Sequence, residues 1–95
     1  MPQQSRNVFV SGAARGIGRA MVRHFLEQGD RVYLIDVDED ELKHTATVHL
    51  KAHADRLGWS LCDLRSVDEI RATVKKAADF FGNRIDVLIN NGGIA

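Results

Sequence analysis

The sequence predicts an α/β fold, one half of a doubly wound parallel sheet in strand order 3-2-1-4, built β-α-β-α-β-α-β. Three observations predict it. Short apolar runs alternate with helix-periodic segments from end to end. Glycine, aspartate or asparagine punctuates the junctions. A glycine-rich turn joins the first apolar run to the first helical segment. Such alternation implies parallel strands joined by right-handed crossovers. In this order two helices cover one face of the sheet, one covers the other, and the fourth strand forms an edge.

Asn7–Val10 is a short apolar run before Ser11 and Gly12 and reads as a buried strand. Residues 16–28 read as a helix, with Ile17, Ala20, Met21, Phe25 and Gln28 on one face and Gly29 as the stop. Residues 31–35 form the second strand, ending at Asp36. Asp38, with Glu41 three residues on, makes a capping-box-like start. The helix it opens is expected to reach Arg56, with Leu42, Ala46, either His49 or Leu50, and His53 inward, and to stop at Leu57-Gly58. Residues 59–62 are the third strand, followed by Asp63. Ser66 and Glu69 form another capping box, before a helix with Ile70, Val74, Ala77, Ala78 and Phe81 inward. Gly82-Asn83 closes it, residues 85–89 are the fourth strand, and Asn90-Asn91-Gly92-Gly93 breaks that strand.

Length and composition set the outer bounds. The 95 residues suit a single small domain over residues 1–95, and 44% apolar content supplies a core. Thirteen Lys and Arg balance thirteen Asp and Glu, so nothing favours nucleic acid or an anionic membrane as partner. Cys62 is the one cysteine, which rules out an internal disulfide. The first strand is expected near Asn7, so no targeting peptide is expected before it. No apolar run approaches the roughly 20 residues of a membrane span. The expectation is a soluble, cytoplasmic protein.

The chemistry starts at Ser11-Gly12-Ala13-Ala14-Arg15-Gly16-Ile17-Gly18, after a strand and opening a helix. Gly12 allows the tight turn, Gly16 lets backbone approach a pyrophosphate, and Gly18 lets the helix pack closely on the sheet. The first-turn N–H groups and positive helix end then face phosphates. The spacing is G-x-x-x-G-x-G, not the common G-x-G-x-x-G, and a merely tight loop is the alternative. Asp36 ends the second strand at about the 20-residue interval from which a carboxylate reaches the adenosine ribose hydroxyls. Its charge would repel a 2′-phosphate, so it favours NAD over NADP; Arg15, near the phosphates, weighs the other way. The alternative for Asp36 is a loop or cap residue, since four acidic residues follow closely.

These residues resemble a family. The turn at residues 11–18 is similar to the T-G-x-x-x-G-I-G turn of the short-chain dehydrogenases/reductases. Cys62-Asp63-Leu64 resembles their D-[VL] pair, and Asn90-Asn91-Gly92-Gly93 resembles N-N-A-G. The resemblance covers the whole chain, with three motifs in order at the right elements. It implies the amino-terminal half of a Rossmann-like domain with NAD as cofactor. By it, Asp63 meets the adenine amino group and the Leu64 backbone flanks the ring. Asn90, Asn91 and Gly92 pass beneath the cofactor ribose, and Ile17 lies beside the pyrophosphate. Two departures are Ser11 for threonine, which keeps the hydroxyl, and Gly92 for alanine, which loosens the backbone.

The family's Ser…Tyr-x-x-x-Lys active site lies in the later half of longer members. There a tyrosine handles the proton and a lysine lowers its pKa. Here the one tyrosine, Tyr33, lies inside a strand and Val37 stands four residues on. No catalytic residue is therefore assigned, and this chain alone is expected to be inactive and truncated relative to the family. The apolar fourth strand at an edge predicts a homodimer or other self-association. The two rival readings are a non-catalytic nucleotide-binding or sensing module, and an assembly protein that acts through this edge. His49 and His53 have the four-residue spacing of paired metal ligands but lack a third ligand, so no metal site is assigned. Cys62 reads as a buried structural thiol, and Trp59, Phe80 and Phe81 as core or edge packing.

Overall fold

The computed structural model describes residues 5–12 and 16–91. Its elements run β1 (Asn7–Ser11), α1 (Gly16–Glu27), β2 (Arg31–Asp36), α2 (Glu39–His44), β3 (Leu57–Leu61), α3 (Val67–Phe81) and β4 (Val87–Asn90). The strands form one parallel sheet in the order β3-β2-β1-β4, as the sequence predicts.

Both faces of the central strands are covered, so β1 is buried throughout and β2 at all but its end residues. That is why these strands read as continuous apolar runs rather than alternating ones. On one face Val8, Val10, Val32, Leu34 and Leu57 meet Val22 and Leu26 of α1, and Leu42, Ala46 and Leu50 from the segment after β2. On the other, Phe9, Tyr33, Ile35 and Cys62 meet Ala77 and Phe81 of α3. Each fully buried Val or Leu in these layers contributes ~1.5–3 kcal/mol.

Helix phase departs from expectation. The inward row of α1 is Gly18, Val22 and Leu26, with Met21 and Phe25 half-buried. Ile17 is 75% exposed, and Ala20 is exposed too. The expected face was one position out of phase, because Gly18 must face the sheet for the helix to lie close to it. In α3 the buried row is Thr73, Ala77 and Phe81, and Val74 is exposed. The four-residue spacing set by Ala77 and Phe81 runs back to threonine, not to valine.

The helix expected to span residues 38–56 is broken. After α2 come a π-helical turn at Thr45–His49 and a 3₁₀ segment at Lys51–Arg56, kinked at His53. Thr45, Thr47 and Val48 are β-branched and weak helix formers. The Leu50 N–H donates to the Thr45 carbonyl at 2.9 Å, one residue further back than in an α-helix. The widened turn keeps Leu42, Ala46 and Leu50 in one buried row, so Leu50 rather than the exposed His49 faces inward.

The third strand starts at Leu57 and ends at Leu61, not at residues 59 and 62. Gly58 is a point of close approach inside the strand, not a stop. A Cβ there would lie 2.6 and 2.8 Å from the Tyr33 ring and 3.1 Å from Phe80. The fourth strand starts at Val87, two residues later than expected. Asp86, just before it, clasps β1 instead: its carboxylate accepts the Asn7 N–H at 2.8 Å and its own N–H donates to the Asn7 carbonyl at 2.9 Å. Leu88 stands opposite Phe9 in the sheet and is 71% exposed.

The amino ends of the strands are tied by side chains. The buried Asp30 carboxylate accepts the Arg6 N–H at 3.0 Å and Arg6 Nη2 at 3.0 Å. This pairing raises the Arg6 pKa above its ordinary value. Arg56 Nη1 donates to the Leu26 carbonyl at 2.6 Å and the Asp30 carbonyl at 3.2 Å. Asn7 Nδ2 donates to the carbonyls of Phe81 at 3.2 Å and Arg84 at 2.8 Å. No helix among the described residues is long and apolar enough to cross a membrane.

Candidate functional site

The carboxyl ends of all four strands lie along one edge, and hydrogen bonds lace them together. The Gly12 N–H donates to the Ile35 carbonyl at 2.9 Å, and the Cys62 N–H to the Asp36 carbonyl at 2.9 Å. On the other side of β1, the Asn91 N–H reaches the Ser11 carbonyl at 3.1 Å and Asn91 Nδ2 the Gly12 carbonyl at 3.1 Å. The Ser11 hydroxyl donates to Asn90 Oδ1 at 2.9 Å. Gly12, Asp36, Asp63, Asn90 and Asn91, chosen from sequence, therefore stand at one edge. Arg15 and Gly92 lie outside the described residues.

Backbone conformation is what calls for glycine at two positions of the turn. Gly12 and Gly16 have φ of 67° and 59°, the left-handed region that other residues enter only with strain. A Cβ on Gly16 would meet nothing within 4 Å among the described residues. Gly18 is buried and Ile17 beside it is exposed.

The three helix starts differ. Asp38 Oδ1 accepts the Glu41 N–H at 3.1 Å at the head of α2, and the Ser66 hydroxyl accepts the Glu69 N–H at 3.3 Å at the head of α3. Both first turns are also acidic. The first turn of α1 carries no acidic residue and includes Arg19.

Asp36 and Asp38 divide their work. Asp38 caps α2, whereas Asp36 Oδ1 accepts the N–H groups of Val37 at 2.7 Å and Asp38 at 3.1 Å, which closes the turn after β2. Asp63 stands one strand across. Its Oδ1 accepts the Arg65 N–H at 2.9 Å and Arg65 Nε at 3.0 Å, and its Oδ2 accepts Arg65 Nη2 at 2.8 Å. These bonds, the side-chain ones foremost, pull the Asp63 pKa down to about 2 and raise that of Arg65. Sequence reasoning missed Arg65; the signal was an arginine two residues after the aspartate, just before the Ser66 cap. The Glu69 carboxylate accepts the Asp63 N–H at 3.3 Å instead of returning to Ser66, so it braces the same loop.

Ile17, Val37 and Leu64 are all exposed in the loops and helix start of this edge. Cys62 is buried beneath it. His49 and His53 do not converge: His49 meets His44 edge-on with centroids 4.8 Å apart, and His53 Nδ1 lies 3.2 Å from Arg56 Nη2. Desolvation and the nearby Arg19 lower the His49 pKa. Among the described residues no group of His, Cys, Asp and Glu is placed to hold a metal ion.

Sheet order, crossovers and glycine turn define a Rossmann-like α/β protein. Its sequence matches the short chain dehydrogenase family over residues 6–95. The chain belongs to that family. It is 38% identical over 90 residues to 2-(R)-hydroxypropyl-CoM dehydrogenase of Xanthobacter autotrophicus, a match covering 95% of this chain and 36% of that protein. Its structure resembles actinorhodin polyketide ketoreductase with NADPH, at TM-score 0.86 and 34% identity over 95% of this chain and 34% of that one. It also resembles a short chain dehydrogenase/reductase from Burkholderia phymatum in complex with NAD, at TM-score 0.80 and 25% identity over 93% and 31%. The chain thus spans about a third of the length of these relatives.

Proposed function

We propose that this chain is the NAD(H)-binding portion of a short-chain dehydrogenase/reductase-type oxidoreductase. The observation that carries the reading is the laced carboxyl edge, where an open, left-handed glycine turn, two carboxylates and the Asn90-Asn91 pair stand side by side. Gly12, Gly16 and Gly18 shape the turn, and the unacidic start of α1 takes the pyrophosphate, with Ile17 beside it and Arg15 close in sequence. Asp36 accepts the adenosine ribose hydroxyls, Asp63 accepts the adenine amino group, and Leu64 flanks the ring. Asn90 and Asn91, with Gly92 following, form the floor under the second ribose. The residues present fit such a ligand: Gly16 fronts open space, and exposed apolar side chains flank the carboxylates. Bound NAD supplies hydride exchange with an alcohol or carbonyl compound. No residue of this chain is assigned to that step.

The Asp36 charge favours NAD over NADP. Calorimetric titration of the purified chain with each dinucleotide tests this. The expected result is binding of NAD in preference to NADP. Failure of a folded sample to bind either one overturns the reading.

Leu88, 71% exposed on β4, favours a second property, self-association of this chain through that strand. Sedimentation should show a dimer that Leu88→Glu disperses; a monodisperse monomer at high concentration would sink the idea.

A further inference from the structure

The sequence holds four asparagines, and the structure sets one of them apart. Asparagine is chemically labile. It loses its side-chain amide when the backbone nitrogen of the next residue attacks Cγ, so that nitrogen and the backbone between decide the risk. Asn7 is buried in β1, and its amide donates to the Phe81 and Arg84 carbonyls at 3.2 and 2.8 Å. Asn83 is followed by Arg84, whose side chain crowds the attacking nitrogen. Asn90 ends β4 in extended backbone, which turns the next nitrogen away from the side chain. That nitrogen, of Asn91, already donates to the Ser11 carbonyl at 3.1 Å. Asn91 itself lies beyond the strand, is exposed, and is followed by glycine. Glycine has no Cβ to crowd its nitrogen. Gly92 lies outside the described residues and enters here through its covalent chemistry alone.

We propose that Asn91 is a modification site, at which intramolecular deamidation turns a hydrogen-bond donor of the strand-end edge into a carboxylate. The Gly92 nitrogen forms a bond to Cγ of Asn91 and gives up its proton to solvent base. The Cγ–Nδ2 bond breaks and the nitrogen departs as ammonia, leaving a succinimide ring. Water then opens the ring at either carbonyl, giving aspartate or isoaspartate with no change of oxidation state. In the folded chain Nδ2 donates to the Gly12 carbonyl at 3.1 Å, so ring closure waits for that bond to open. Such opening costs little at an exposed strand end. After the reaction an acceptor faces the Gly12 carbonyl where a donor stood. Isoaspartate also lengthens the main chain next to the Asn91 N–H bond to Ser11. The loss of dinucleotide binding that follows rests on the role proposed above for Asn91; the modification itself does not.

The test is incubation of the purified chain in mildly alkaline buffer, with peptide mass mapping over time. Cleavage after Arg84 gives the peptide 85–95, and fragmentation separates residue 90 from residue 91. The mass gain of acid over amide should accumulate at residue 91, ahead of residues 7, 83 and 90, with isoaspartate among the products. Gly92→Ala should slow it severalfold. The urea-unfolded chain should react faster than the folded one, because the Gly12 contact is gone. An Asn91 that outlasts Asn83 overturns the site, and aspartate without isoaspartate overturns ring closure. A folded chain that reacts as fast as the unfolded one overturns the restraint by Gly12. Calorimetry with NAD reads the consequence: Asn91→Asp should weaken binding about tenfold, the size of a lost hydrogen bond with an acceptor left unpaired. Unchanged affinity overturns that consequence and leaves the modification in place. Wild-type chain that folds but binds no NAD overturns the function proposed above, while the mass gain still decides the site.

Discussion

The two ends of the sheet are built on opposite plans. At the amino ends of the strands, polar side chains are spent on the chain's own backbone. Asp30 holds the Arg6 N–H, Arg56 holds two carbonyls, and Asn7 holds two more. At the carboxyl ends, backbone bonds between strand tips do most of the fastening, the Asp36 and Asp63 carboxylates close their own loops, and the apolar side chains of Ile17, Val37 and Leu64 are exposed. One end closes the fold, and the other carries the residues proposed to hold the dinucleotide. On that proposal stability and recognition are separable by mutation, and the comparison can be broken or sharpened at five positions.

Asp30→Ala should have the largest effect on stability. It leaves the Arg6 N–H without its acceptor beside a buried site, at a cost of about 2–3 kcal/mol. Urea unfolding measures the loss, and NAD affinity of the folded fraction should not change. Gly58→Ala is next, at about 1–3 kcal/mol, because the added methyl meets the Tyr33 ring; thermal unfolding should show it. A neutral result would mean that Tyr33 has room to turn away.

Gly16→Val moves the test to the other end. Its left-handed φ makes a side chain cost about 1–2 kcal/mol of stability, while NAD affinity should fall at least about tenfold, or roughly 1.4 kcal/mol. Affinity equal to wild type would remove the glycine turn from the site. Asp36→Ala should narrow the preference for NAD over NADP by about three- to tenfold, the size of a small coupling between charges; unaltered selectivity in paired titrations would count against the ribose assignment.

Arg65→Ala is the smallest perturbation of the fold. The Asp63 pKa is lowered from 3.8 to about 2 in the folded chain. A depressed folded value contributes stability that is present above the unfolded pKa and lost as pH falls through the folded one. The difference in unfolding midpoint between wild type and Arg65→Ala should therefore be constant near neutrality and shrink between about pH 4 and 2. A gap that persists below that window would mean Arg65 stabilises the chain by some other route.

Much of this plan was legible in the sequence. Strand order followed from alternation, because helices cover both faces of a parallel sheet and leave its inner strands uniformly apolar. The strand-tip residues were legible because a motif at the end of a parallel strand can only be at the carboxyl edge. Helix phase was harder. Ile17 and Ala20 are as apolar as the residues that went inside, and the decisive fact, that Gly18 must touch the sheet, is one of clearance. Gly58 misled for the same reason: a glycine kept for lack of side chain looks like one kept for a turn until Tyr33 is beside it. The break after His44 lies in three weak helix formers that tertiary packing resolves as a wider turn. Arg65 lay outside every motif, and only the loop conformation brings it back onto Asp63.

The hydrogen bond from Cys62 to the Asp36 carbonyl has a positional consequence. It continues the pairing of Asp36 with Leu61 by one step, so the chain leaves β3 from a place fixed against the end of β2, and the loop that carries Asp63 starts there. Side-chain substitutions within that loop leave its anchor where it is, because the anchor is a bond between backbone groups.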